Sequence, residues 1–385
     1  MNKNILFKRN ENSKFAHFAI MFRGGSSIEN IIELGYSHLI EHLVLQSGGS
    51  SSINELFDYF GANIKGETSR EYVCFSGYCR LEDFNELFSR TLEKIWNLNI
   101  CENELERERK TVLIELEQYG KIGRSIDYRY IYSDMWQEDI IGTPESIANV
   151  ELKLLKEFYY KYIFNGDCVI CVSGPDSLTK VLDNLQIDIT NDHKIKTLNR
   201  PNFSKGITIL SDTQSMNEIR VYYDISKFVN LPKDVAALSI FNALLTGVKG
   251  SYLGDQLRNE RRWIYSVGSF PILYSNFTLF KLFTKVPKEY RIQLVELLEE
   301  KVFDIDDYKM YELFQKAKRR VSNELIMISE SNRNNYLKSL CKEHLFKIPS
   351  LETIESYIES VQIHDIIKFS NNTMLNNPEK HIFID

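Results

Sequence analysis

Several things are scarce in this sequence, and each shortage removes a class of function. No stretch approaches the ~20 consecutive apolar residues that a membrane-spanning helix needs. The start, Met-Asn-Lys-Asn-Ile-Leu-Phe-Lys-Arg, lacks the apolar centre of a secretory signal. No membrane span and a cytoplasmic location are therefore expected. Positive charge is not in surplus either: the formal net charge is -6, which leaves no electrostatic footprint for nucleic acid or an anionic membrane. The densest basic cluster, Lys316 to Arg320, reads as the solvated face of a helix. Six cysteines in 385 residues are too few for a disulfide scaffold. Cys168 and Cys171 form a lone C-x-x-C among Val and Ile. No second pair completes four ligands, so core thiols on a buried strand are expected there rather than a structural zinc.

What remains is an ordinary globular balance, 43% apolar and 26% charged, in a chain too long for one core. Two domains are expected, residues 1–190 and 205–385. The linker between them, residues 191–204, is where the apolar pattern lapses into Asn-Asp-His-Lys-Ile-Lys-Thr-Leu-Asn-Arg-Pro-Asn. In the first domain, residues 14–23 read as a strand broken by Arg23-Gly-Gly-Ser-Ser, and residues 63–79 as strand with a turn. Gly66, inside that stretch, lets another backbone approach closely. Residues 81–98 form an amphipathic helix with Phe84, Leu87, Phe88, Leu92 and Ile95 on one stripe, and residues 102–118 a charged helix. Residues 168–173 are the strand that follows a short helix at 152–162.

The second half runs a similar programme. Residues 207–210 and 219–223 read as strands, and 235–245 as an apolar helix. Residues 361–369, Val-Gln-Ile-His-Asp-Ile-Ile-Lys-Phe, echo 150–158, Val-Glu-Leu-Lys-Leu-Leu-Lys-Glu-Phe. The expected fold class is α+β, two homologous α/β-sandwich domains, each an antiparallel-rich sheet packed by helices.

Chemistry concentrates at residues 35–45, Gly-Tyr-Ser-His-Leu-Ile-Glu-His-Leu-Val-Leu. On a helix, His38, Glu41 and His42 share one face. Two imidazoles one turn apart can share a metal, and the carboxylate beside them can hold a water. The inverted H-x-x-E-H order is known from zinc peptidases. Two readings fit these five residues equally, a zinc site or a polar seam on a helix. A catalytic zinc needs a third protein ligand, and the helix at 102–118 carries Glu108 and Glu115 on one side, seven residues apart. The second half holds no H-x-x-E-H.

Together these residues resemble the M16 peptidases, the insulinase, pitrilysin and mitochondrial processing peptidase group. The matching text is Gly35-Tyr-Ser-His38-Leu-Ile-Glu41-His42, then Glu108-Arg-Lys-Thr-Val-Leu-Ile-Glu115, with Phe22-Arg-Gly-Gly-Ser-Ser-Ile-Glu29 upstream. In the second half, Ser251-Tyr-Leu-Gly-Asp-Gln-Leu-Arg258-Asn-Glu-Arg-Arg-Trp-Ile-Tyr265-Ser-Val is similar to the family block Ser-Arg-Leu-x-x-x-Leu-Arg-Glu-x-x-Gly-Leu-Ala-Tyr-Ser-Val. The order of the motifs, more than any one of them, carries the resemblance.

The resemblance implies a zinc endopeptidase holding one Zn2+ per chain through His38, His42 and Glu115. Glu41 is then the general base, Glu108 a carboxylate that orients the site, and Arg258 with Tyr265 the pair that binds substrate backbone and steadies the tetrahedral intermediate. It further implies half of a clamshell, so that Arg258 and Tyr265 serve the zinc of a partner subunit in a homodimer or heterodimer. Its substrates are small unfolded peptides, a leader of a ribosomally made peptide among them. A non-catalytic scaffold or substrate-binding subunit is the rival implication, marked in the family by loss of ligands. Two departures stand out. Where the family often has Asn-Ala-x-Thr on the strand beside the substrate, this chain has Lys65-Gly66-Glu67-Thr68; backbone pairing to a peptide survives that change, side-chain selectivity does not. The second-half block has Trp263 where Gly is common and Asn259 for Glu.

Overall fold

The computed structural model describes residues 4–122, 127–132, 134–184, 200–204, 206–209, 216–299, 308–369 and 380–384. The chain forms two units, and they are not two contiguous halves. The first comprises Met1–Arg129, Asp134–Asn199 and Asn332–Lys347; the second comprises Tyr130–Ser133, Arg200–Ser331 and Ile348–Asp385. Most of the linker expected at 191–204 lies outside the described residues. A cut there does not describe residues 332–347, which come late in sequence and pack on the first sheet.

The first sheet contains β1 (Ile5–Arg9), β2 (Phe15–Arg23), β3 (Asn63–Thr68), β4 (Tyr72–Arg80) and β5 (Cys168–Gly174), in the order β1-β5-β2-β4-β3. The second contains β6 (Gly206–Ile209), β7 (Met216–Asp224), β8 (Val267–Leu273), β9 (Thr278–Pro287) and β10 (Lys380–Ile384), in the order β6-β10-β7-β9-β8. Each sheet has one parallel pair, β1 with β5 and β6 with β10, and is otherwise antiparallel. The repeated programme seen in the sequence is thus a repeated strand order. The helices used below are α1 (Tyr36–Gln46), α2 (Ile53–Tyr59), α3 (Phe84–Trp96), α4 (Glu102–Ile122), α5 (Leu152–Tyr159), α6 (Pro232–Asn242), α7 (Tyr308–Ser331), α8 (Arg333–Phe346) and α9 (Leu351–Ile358). Among the described residues, no helix is long and apolar enough to cross a membrane.

Strand β2 shows why the first unit needs helices on both sides. Its even positions Phe18, Ile20 and Phe22 are buried in a core with Leu39, Ile40, Leu43 and Val44 of α1 and with Phe84, Leu87 and Phe88 of α3. Successive side chains alternate across a strand, so Ala19 and Met21, equally buried, face the other way. That face is covered by α8. His17 Nδ1 lies 3.0 Å from Asn334 Oδ1, Cys341 Sγ 3.9 Å from the Ala19 carbonyl, and Arg333 Nε donates to Ser173 Oγ at 2.9 Å. Strand β5 is buried at every position, and Cys168 and Cys171 on it are free thiols; burial raises Cys168 well above the ordinary thiol range. This agrees with their apolar context.

In the second unit, α6 is buried at Val235, Ala236, Ala237, Leu238, Ile240 and Phe241. The basic cluster on α7 needs one correction. Lys318 is buried, and its Nζ donates to the carbonyls of Glu359 at 2.7 Å and Val361 at 3.4 Å. A cation on the unpaired carbonyls just past the end of α9 is favourable there, so within the cluster Lys316, Arg319 and Arg320 are the exposed residues.

Candidate metal centre

Helix α1 is entered through Gly35, whose φ of 87° is left-handed. A side chain at Gly35 would meet the Ile141 carbonyl at 2.7 Å, and one at Gly142, whose φ is 85°, would meet the Leu34 carbonyl at 2.7 Å. The two glycines therefore pack back to back, and they bring the segment carrying Asp139, Ile140 and Ile141 to the mouth of α1. Buried Glu29 fixes the same entry, accepting from the Gly35 amide at 2.8 Å and the Ser37 amide at 2.7 Å. A carboxyl there complements the unpaired N–H groups of a helix start. Burial nevertheless pushes it up to about 7, against those two donations.

From this entry, α1 turns Leu39, Ile40, Leu43 and Val44 into the core and leaves His38 and His42 toward α4. The two helices are tied at their ends. Arg107 Nη2 donates to the Gln46 carbonyl at 2.7 Å, and Glu104 Oε1 accepts from the Gly48 amide at 2.7 Å. The expectation that Glu108 and Glu115 share one side of their helix is met, since both face the histidines. His42 Nδ1 lies 3.5 Å from Glu108 Oε2, and His42 Nε2 lies 3.5 Å from Glu115 Oε2. His38 Nε2 lies 3.7 Å from the same Glu115 oxygen, and the imidazole rings stand 4.6 Å apart.

These positions fit a metal better than a polar seam. One donor atom from each of His38, His42 and Glu115 lies within 4.8 Å of the other two. Zinc bonds of about 2.0–2.1 Å at tetrahedral angles put ligand atoms about 3.3 Å apart, close to the 3.5 and 3.7 Å found here. His38 is buried, and its Nε2, the nitrogen that faces Glu115, has that carboxylate beyond hydrogen-bond length. An imidazole in that position gains from a metal bond what it lacks in hydrogen bonds. Burial and the adjacent His42 lower His38 to about 4, so it is neutral and its lone pair is free. Burial opposes charge on His42 too, but its hydrogen bonds to Glu108 and Glu115 overcome it and raise His42 to about 9, so a metal held there displaces the His42 proton. Glu108 is buried and also accepts from Arg107 Nε at 3.0 Å. A carboxylate on the far nitrogen of a ligating histidine fixes its tautomer and ring orientation.

Glu41 points away from this trio toward β3. Its Oε2 accepts from Thr68 Oγ1 at 2.6 Å, and burial raises its carboxyl above the usual range despite that bond. Gly66 stands against the same carboxyl: a Cβ there would lie 2.5 Å from Glu41 Cγ and overlap Oε1. The sequence leads to the expectation of another backbone at Gly66, and the structure corrects it: what approaches is a side chain of α1. The pleat divides the four residues of that stretch. Gly66 and Thr68 face Glu41, while Glu67 goes to the opposite side, where Lys338 Nζ of α8 donates to it at 2.6 Å and Tyr72 also binds it. Lys65 is exposed. His38, Glu41, His42, Gly66, Glu67, Thr68, Glu115 and the Asp139 to Ile141 segment line a cavity of about 430 Å³. Sequence reasoning missed that segment; the paired left-handed glycines were the available signal.

In the second unit, Arg258 and Tyr265 are adjacent, with the guanidinium carbon 5.2 Å from the ring centroid, and Tyr265 is 80% exposed. The turn between them corrects one expectation. The left-handed residue is Arg262, with φ of 56°, and Trp263 instead stacks on Tyr290 at 5.9 Å. Counted back from Tyr265, the glycine of the similar family block also falls on Arg262 rather than on Trp263.

Known proteins were compared with this chain. Residues 4–145 match the family model described as Insulinase (Peptidase family M16), and residues 149–313 match the one described as Peptidase M16 inactive domain. An uncharacterized zinc protease, YmxG, of Bacillus subtilis (strain 168) is 22% identical over 376 residues, 94% of this chain and 91% of its own length. A protein of Helicobacter pylori (strain ATCC 700392 / 26695) called non-peptidase homolog YmxG is 23% identical over 283 residues, 68% of this chain and 63% of that protein. The crystal structure of a protease from Helicobacter pylori superposes with a TM-score of 0.78 at 18% identity, covering 99% of this chain and 97% of the other.

Proposed function

The chain belongs to the M16 peptidase family, and on that premise we propose that it is a zinc-dependent endopeptidase acting on small unfolded peptides. One observation carries the reading: His38, His42 and Glu115 turn one donor atom each toward a common point, with Glu41 alongside in the same cavity. In this proposal those three residues hold one zinc ion, and Glu108 holds His42 in register. A zinc ion bound there supplies Lewis acidity toward a peptide carbonyl and lowers the pKa of water. Glu41 takes the proton from the attacking water and hands it to the leaving amine nitrogen. A carboxyl raised by burial suits both directions of that transfer.

Arg258 and Tyr265 complete the proposal as donors to the carbonyl oxygen and the substrate backbone. By family resemblance they act from a partner subunit, in a homodimer or with another M16-like chain, so that the active site is shared. Leader removal from ribosomally made peptides is the use we propose for such a chamber.

The test is direct. Bound zinc is measured in the purified chain, and cleavage of a peptide library is compared between wild type and Glu41→Gln. We expect one zinc per chain in both proteins and cleavage in wild type alone. Mixing Glu41→Gln with Arg258→Ala subunits should restore part of the activity if the site is shared; no recovery removes that clause. The description "inactive domain" and the name "non-peptidase homolog" favour a second reading, a non-catalytic scaffold or substrate-binding subunit. Against it stand His38, Glu41, His42 and Glu115, all retained. A wild-type chain that stays metal-free and inactive with added zinc and a candidate partner chain would establish the second reading instead.

A further inference from the structure

Strand β3 is the edge of the first sheet, and its free side is where an extended peptide can add a strand. The same strand grips Glu41. Thr68 Oγ1 donates to Glu41 Oε2 at 2.6 Å, and the missing side chain of Gly66 leaves space that Oε1 and Cγ occupy. Thr68 and Gly66 lie two apart on one face of β3, opposite Val73 and Phe75 of β4, so a rigid strand offers one donor and one gap at a fixed separation. The Thr68 hydroxyl is only partly exposed, and hydrogen bonding to Glu41 uses its one proton. It cannot donate to a substrate at the same time.

Resting on the peptidase reading above, we propose that Thr68 and Gly66 are positioning residues for the general base, not substrate-selecting residues. Thr68 anchors one oxygen of Glu41, Gly66 admits the other, and β3 thereby sets where the basic oxygen stands relative to a peptide paired along the strand. The assignment gives the Lys65-Gly66-Glu67-Thr68 stretch two separate tasks: its backbone serves the peptide, and one of its faces serves Glu41. In this chain a Cβ at residue 66 would meet the tip of Glu41, so Gly66→Ala is expected to shift the carboxyl.

The test uses the full-length, zinc-loaded chain and the peptide it cleaves best from the library. Thr68→Val keeps the shape and removes the donor. We expect kcat to fall about 10- to 100-fold, with KM within about twofold and zinc content unchanged. Thr68→Ser, which keeps the hydroxyl, should recover most of kcat. A crystal structure of Thr68→Val should show the Glu41 carboxyl displaced from β3, and Gly66→Ala should show the same displacement by a different route. A raised KM at unchanged kcat would make Thr68 a substrate contact and overturn the proposal. So would an unmoved Glu41, or a Ser variant as slow as Val. If wild type loaded with zinc cleaves nothing, the peptidase reading fails, and the position of Glu41 in the two variant structures still decides the positioning claim.

Discussion

The two sheets repeat one strand order position by position, down to the single parallel pair, yet they hold different things in equivalent places. Helix α1 follows β2 and precedes edge strand β3; helix α6 follows β7 and precedes edge strand β8. On α1 three ionisable residues, His38, Glu41 and His42, interrupt the apolar run, whereas α6 buries Val235, Ala236, Ala237, Leu238, Ile240 and Phe241. The edge strands diverge in the same way. Gly66 lies opposite Phe75 and Gly268 opposite Phe283. The gap at Gly66 is filled by the carboxyl of Glu41, and the gap at Gly268 by the ring of Phe283. One backbone plan thus serves both a polar centre and a hydrocarbon core, and the chemistry rests on which side chains enter it.

The contrast is sharpest at the metal trio. Glu115→Gln should lower zinc affinity by more than about 100-fold and abolish cleavage, while the core around α6 stays intact. Zinc titration followed by dialysis reads this, and a variant that retains one zinc per chain removes Glu115 from the ligand set. The reverse perturbation belongs to the second unit. Leu238 is fully buried, so Leu238→Ala should cost about 2–5 kcal/mol in urea unfolding with zinc stoichiometry unchanged. Zinc lost together with stability would mean that the two units do not divide the labour as described.

A third, smaller effect lies at the entry to α1. Burial holds the Glu29 carboxyl near 7, above its unfolded value of about 4.3. Between those values the folded chain binds the extra proton, so this group stabilises the fold at pH 4–5, and that stability is lost as pH rises through about 7. The change is roughly 2–4 kcal/mol. Urea unfolding of the metal-free chain across this range should show the decline in wild type and a flatter profile in Glu29→Gln; equal slopes would show that Glu29 is charged throughout. The smallest effect concerns Arg262, held at a left-handed φ of 56°. Arg262→Gly should be neutral or stabilising by up to about 1 kcal/mol, measured as a shift in Tm, and a loss of stability would mean that the arginine side chain makes up for its backbone strain.

Local patterns carried much of this from the sequence. The stripe on α3, the buried strand β5 and the spacing of His38, His42, Glu108 and Glu115 all depend on near neighbours in the chain, where helix and strand periods apply. Contacts between distant segments left no such trace. The Thr68 to Glu41 bond depends on how β3 registers against β4 and α1, and nothing in Lys65-Gly66-Glu67-Thr68 announces a donor for α1. Lys318 sits in a run of basic residues that looks solvated until the carbonyls of Glu359 and Val361 are seen above it. Strand β1 was absent from the reading because Ile5–Arg9 has no clear alternation; its place is set by pairing with β5.

Helix α8 has a consequence for the order in which the molecule is made. The rear of the first sheet, with Ala19 and Met21 buried on it, is covered by a helix that ends only at Phe346. During synthesis from the N-terminus, the metal-site side of that sheet has its strands and core helices by residue 184, while its rear stays bare for well over a hundred further residues. Closure waits for a contact of very long sequence separation, such as Cys341 with Ala19, which slows folding and leaves an apolar sheet face in need of shelter. An isolated fragment ending near residue 190 would carry every candidate zinc ligand and still be an unfinished protein.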